Sequence, residues 1–205
     1  MSQNSNQEAA EKRVEIQIDE ALASGSFSNL VLINHSDCEV LLDFIFRPPQ
    51  GARAQLRSRV ILAPRHFKQL LTLLEQSLQH YEQQWGEIKT PATPVAESAG
   101  TGEGKGESEA PPALDIVFDE AVAQGVYANL IMLAHGESEF VIDFIFLQPQ
   151  APRAKVRSRI LLSDRHAKRL LHAGQENLRY FEKHFGAITP APTPPPLNKP
   201  SGTFH

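Results

Sequence analysis

Two carboxylate–guanidinium combinations are the residues best placed to do chemistry. Asp43 and Asp143 each sit inside an apolar run, Val40 to Phe46 and Phe140 to Phe146. A carboxylate there needs a partner, because an unpaired buried charge is costly. Arg57 and Arg59 share one parity on the following run, as do Arg157 and Arg159, so a cross-strand pair from Asp43 to Arg59 and from Asp143 to Arg159 is expected. Such a pair could act as a general acid/base or ligand site. It could equally be a structural ion pair, since structural networks perturb the same groups, and the structural reading is the stronger.

The remaining polar candidates are weaker. His35 and His135 fall in expected turns near Asp37 and Glu137, without a second His, Cys or carboxylate at a known metal spacing. No metal site and no cofactor is expected. His66 and His166 stand beside Arg65 and Arg165 at expected helix starts. Arg53, Arg57, Arg59, Arg65 and Lys68 could make a basic stripe, but no aromatics alternate with them. Asn29 and Asn129 enter strands, where an amide satisfies backbone groups locally. The run from Gly100 to Gly106 imitates a phosphate loop but has no preceding strand and no Gly-Lys-Ser/Thr ending. No nucleophile–base set converges, so the expectation is a non-enzyme.

The elements that must position these groups come in two sets. Residue n matches residue n+100 without a gap: Asp19-Glu20-Ala21, Asn29-Leu30, Asp43 to Phe46, Arg57-Ser58-Arg59 and Arg65-His66 all recur. Roughly 40% of aligned positions are identical, the mark of an internal duplication. The reading is 1–12 disordered, 13–89 repeat 1, 90–113 a flexible linker rich in Pro, Gly, Glu, Ala and Ser, 114–188 repeat 2, and 189–205 a Pro-rich disordered tail.

Each repeat reads as four strands and a helix. Val14 to Asp19 alternates apolar and polar, and 19–25 is a connector of one helical turn broken by Gly25. Ser28 to Asn34 is a second strand. Glu39 to Phe46 is apolar on both faces and therefore central. A loop over 47–53 leads to Ala54–Leu62. Pro64 suits the first turn of a helix, and Ser163 is the N-cap of its counterpart. Phe67, Leu70, Leu71, Leu74, Leu78 and Tyr81 form one stripe, and Gly86 and Gly186 are the stops.

The fold class expected is α+β: two copies of a four-stranded antiparallel sheet with a C-terminal helix across one face. One helix leaves Val31, Ile33, Leu41, Ile45 and Ile61 uncovered on the other face, too much apolar surface for a lone domain. Sheet-to-sheet packing, between the copies as a pseudo-dimer or between chains, is the economical remedy.

Charge narrows the partners. Residues 13–90 carry eight Lys/Arg against nine Asp/Glu, residues 114–190 nine against nine, and the connector carries the acidic excess. Near-neutral domains argue against nucleic acid. The polar start lacks the apolar core of a secretory signal, no run approaches a membrane span, and Cys38 is the single cysteine. A cytoplasmic protein that binds protein or itself, with no membrane, is expected.

Val126-Tyr127-Ala128-Asn129-Leu130, Glu139 to Phe144, Arg159 to Ser163 and Tyr180 to Gly186 resemble a small bacterial family known as domain of unknown function 3467. Copy one, with Phe27-Ser28-Asn29 and Glu39 to Phe44, is a looser match. Members are usually single copies, so the resemblance implies a fused pair, which suits a family of homodimers. It implies a fold and a bacterial cytoplasmic setting, and no catalytic residue. The four-strand, one-helix order is also similar to the protomer of the SecB export chaperone, in element order alone. Three functions follow as expectations: a protein-interaction module foremost, a SecB-like holdase of unfolded chains, and a small-ligand binder or enzyme using the Asp–Arg pair.

Overall fold

The computed structural model describes residues 14–49, 53–90, 115–149 and 153–189. The linker and the Pro-rich tail lie almost wholly outside these, as do the first twelve residues. Copy one supplies β1 (Glu15–Gln17), α1 (Glu20–Ala23), β2 (Ser26–Phe27), β3 (Leu30–His35), β4 (Val40–Phe46), β5 (Ala54–Leu62) and α2 (Pro64–Trp85). Copy two repeats the order as β6 (Ile116–Val117), α3 (Glu120–Ala123), β7 (Val126–Ala128), β8 (Leu130–His135), β9 (Glu139–Leu147), β10 (Arg153–Ser163) and α4 (Asp164–Phe185).

The fold is α+β, with two sheets that are mixed where purely antiparallel ones were expected. β3-β4-β5 and β8-β9-β10 are antiparallel, as short connections dictate. The N-terminal arms are exchanged. β1 and β2 of copy one lie parallel to β10 of copy two, and β6 and β7 lie parallel to β5 of copy one. The first strand is therefore absent from its own copy's sheet. A parallel pairing needs a connection that crosses over, and here the long path between the copies supplies it.

The helices cross over as well. α2 runs against β8, and α4 against β3. The Tyr81 hydroxyl donates to the Glu137 carbonyl at 2.8 Å, and its ring lies 5.3 Å from Phe140. α2 thus lies mainly on the partner copy's sheet, while α4 spans β3 of the partner copy and β9 and β10 of its own. α2 starts with Pro64, and α4 is capped by Ser163, whose hydroxyl accepts from the His166 N–H. Gly86 and Gly186 end them at φ 92°.

The predicted helix stripe is buried in full, and each of its six large side chains contributes about 1.5–3 kcal/mol of transfer free energy. It faces one core shared by both copies. Leu42, Phe44, Val60 and Leu62 enter it with Ile142, Phe144, Ile160 and Leu162. The Phe44 and Phe144 rings meet at 5.5 Å across the pseudo-twofold axis. The copies form a single pseudo-dimer.

Register corrects the expected sheet interface. Ile33 lies opposite Leu42, so Val31 and Ile33 do face the shared core. Leu41, Ile45 and Ile61 point to the other face. There Ile45, Ala54 and Leu56 pack beneath Ile116 and Val122 of the exchanged arm. The mirror cluster places Val14 and Ile16 over Leu130, Ile145 and Val156. Of the five, Ile33 and Ile45 are buried and Val31, Leu41 and Ile61 half-buried, so the arms and the opposite sheet cover the surplus apolar surface in part.

Candidate functional site

Asp43 and Arg59 are direct cross-strand neighbours on β4 and β5, and Asp143 and Arg159 on β9 and β10. The contact is bidentate. In each copy Arg Nε donates to Oδ1 at 2.7 Å and Nη2 to Oδ2 at 2.8 Å. Hydrogen bonding to the carboxylate raises both guanidinium pKa values. The remaining Nη1 reaches into the other copy. Arg59 donates to the Ala123 carbonyl at 3.0 Å, and Arg159 to the Ala23 carbonyl at 3.1 Å. Those carbonyls sit at the C-terminal ends of α3 and α1, where helical groups are left open. The pair is a clamp that holds the exchanged arm, with both carboxylate oxygens already engaged.

Arg57 does not join this row. β5 carries a bulge: Phe44 opposes Ser58 but Ile45 opposes Leu56, so Arg57 is the extra residue. β10 has the same irregularity between Val156 and Ser158, with Arg157 extra. At the bulges the exchanged arm leaves the strand. β6 pairs with Ala54 and Gln55, β7 with residues 60–62, and among the described residues nothing pairs with 56–59 on that side. Residues 156–159 are open in the same way.

The two gaps face each other across the pseudo-twofold axis and form a cleft of about 180 Å³. The Ser58 and Ser158 hydroxyls meet there at 2.8 Å, and Ser158 is buried. Arg57, Arg59, Arg157 and Arg159 line the cleft, and no carboxylate does. Sequence reasoning missed it because the serines carry no motif and the two bulges belong to different copies.

The other candidates are structural in their surroundings. Asn29 donates to the Arg47 carbonyl and accepts from the Arg47 N–H, both at 2.7 Å, extending the ladder with its side chain. Asn129 does the same with Leu147. His35 and His135 end β3 and β8, before the turns expected to hold them. Each is ringed by the other copy's helix: His35 by Tyr180, Phe181 and Phe185, His135 by Tyr81 and Trp85. His66 and His166 lie in first helical turns, and burial lowers both pKa values. Of the basic stripe, Arg53 pairs with Asp115 and Lys68 with Glu182. Among the described residues no cluster of three or more His, Cys, Asp or Glu could hold a metal, and no helix is long and apolar enough to cross a membrane.

Large apolar side chains remain on the surface at matched positions. Phe27 and Tyr127 are 47% and 45% exposed, and Trp85 and Phe185 are 39% and 50% exposed. Phe27 meets Phe46 edge-on at 6.0 Å, and Tyr127 meets Phe146 at 6.1 Å.

No curated protein and no solved structure matches the chain. A family model described as Protein of unknown function (DUF3467) matches twice, over residues 1–90 and 101–190. The two matches bracket the two halves of the pseudo-dimer, and the chain belongs to this family as a tandem duplication of its domain.

Proposed function

We propose that the chain is a non-enzymatic protein-binding module that works as one pseudo-dimeric body. One observation carries the reading. Both copies keep an aromatic side chain on the surface at the same place, Phe27 and Tyr127, each braced edge-on by a second ring. Exposed aromatics cost solvation unless a partner covers them, and aromatic residues with arginine are what protein interfaces enrich. Arg57 stacks over Phe46 at 5.4 Å beside the first pair, completing such a patch. A bacterial cytoplasmic adaptor is the setting that fits.

The other readings draw less support. The Asp–Arg pairs have their oxygens and donors committed to holding the arms. The holdase reading rests on element order alone, and much of the apolar sheet surface is covered between the copies. The test is an affinity capture of the tagged chain against the F27S/Y127S variant, followed by reconstitution with the purified partner. One stoichiometric partner that binds the wild type and is lost in the folded variant is the expected result. Equal recovery by both forms would refute the patch.

A further inference from the structure

We infer that the cleft on the pseudo-twofold axis is an oxyanion site, built by the two bulges for a doubly charged phosphate group. The cleft shares Arg57 with the aromatic patch, but its test reads phosphate binding, whereas F27S/Y127S reads protein binding.

Four observations converge on it. First, charge: Arg59 and Arg159 are neutralised by Asp43 and Asp143, but Arg57 and Arg157 have no ion-pair partner among the described residues. Arg57 and Arg157, both uncompensated, therefore line one small cleft in a chain of net charge -4. Like charges brought together in this way call for an anion between them, and the guanidinium fork suits phosphate oxygens.

Second, placement: a bulge re-aims the side chain of its extra residue. Both copies put an arginine there, and Arg57 is held over the Phe46 ring at 5.4 Å. Third, donors: the Ser58 and Ser158 hydroxyls share one hydrogen bond, which uses one hydroxyl proton and leaves the second without an acceptor. A phosphate oxygen would accept it. The edges at 56–59 and 156–159 add backbone groups with no strand neighbour. Fourth, size: about 180 Å³ is room for roughly six waters, or one small oxyanion and part of its hydration, and is too little for a large ligand.

Pseudo-symmetry adds a stoichiometry. Both copies contribute to the one cleft, so one ion should bind per chain.

Isothermal titration of the full chain with inorganic phosphate, against chloride at matched ionic strength, tests this. A single saturable site per chain is expected. It should weaken about tenfold or more in R57Q/R157Q, which removes both charge-assisted contacts. It should persist in R65Q/R165Q, which removes the same charge from exposed helix starts. Both pairs of arginines are exposed, and a thermal melt of each variant checks that the fold is kept. A parallel titration with phosphoserine separates the sources: tighter binding than phosphate identifies an ester whose organic part leaves through the open mouth, and equal or weaker binding identifies the free ion. No saturable phosphate site in the wild type, unchanged binding in R57Q/R157Q, or equal loss in both charge variants would overturn the assignment.

Discussion

Replacing Asp143 with Asn should destabilise the chain without loosening its overall shape. Asp143 and Arg159 are only 9% and 11% exposed in their side chains. The substitution keeps the shape and one acceptor oxygen. It turns the other oxygen into a donor that confronts Arg159 Nη2, and it leaves the guanidinium charge buried alone. Removing one partner of a buried pair costs about 3–5 kcal/mol. The retained acceptor brings the expectation to about 3 kcal/mol. For a chain of this length each kcal/mol moves Tm by about 2–4 °C, so Tm should fall by about 6–12 °C. Asp43→Asn should cost less, because Arg59 is 25% exposed and water can solvate the orphaned charge. Thermal unfolding followed by circular dichroism reads both. A shift below about 2 °C for Asp143→Asn, or a larger one for Asp43→Asn, would refute the account of the pair as a buried clamp on the exchanged arm.

Three further outcomes follow from the packing. Copy two expressed alone, residues 114–188, should form a homodimer by exchanging its arms, because a lone copy leaves the shared core open; light scattering at micromolar concentration giving a stable, cooperatively unfolding monomer would contradict it. Gly174→Leu should lower stability by about 1–3 kcal/mol in urea titration, since a side chain there runs into Leu71 at the α2–α4 crossing; an unchanged midpoint would mean the crossing is loose. Glu82 and Glu182 have pKa values lowered by hydrogen bonds from Lys168 and Lys68, so their contribution is present above the ordinary value of 4.5 and is lost as pH falls through the lowered folded values. The K68M/K168M variant should therefore lose less stability than the wild type between pH 5 and 3, and parallel acid limbs would refute that origin.

Local chemistry settled much of this molecule in advance. The 100-residue period, the buried helix stripe from Phe67 to Tyr81, the Ser163 cap and the glycine stops are all written within single elements, where spacing of 2 or 3.6 residues is enough. The Asp43–Arg59 pair was legible for the same reason, as two residues of like parity on consecutive strands.

What failed needed information from between elements. Parity along one strand does not say which residue of the next lies opposite, and the register Ile33–Leu42 turned Val31 and Ile33 to one face while Leu41 and Ile61 took the other. A bulge then separated Arg57 from Arg59.

The arm exchange lay furthest from the sequence. The two copies share so many residues that an arm makes nearly the same contacts on either sheet, and local preference cannot choose between them. The choice falls to chain connectivity and to the core that only two copies together can close. That tertiary decision brings two bulges, two serines and the two bulge arginines to one axis, a cleft that neither copy's sequence contains alone.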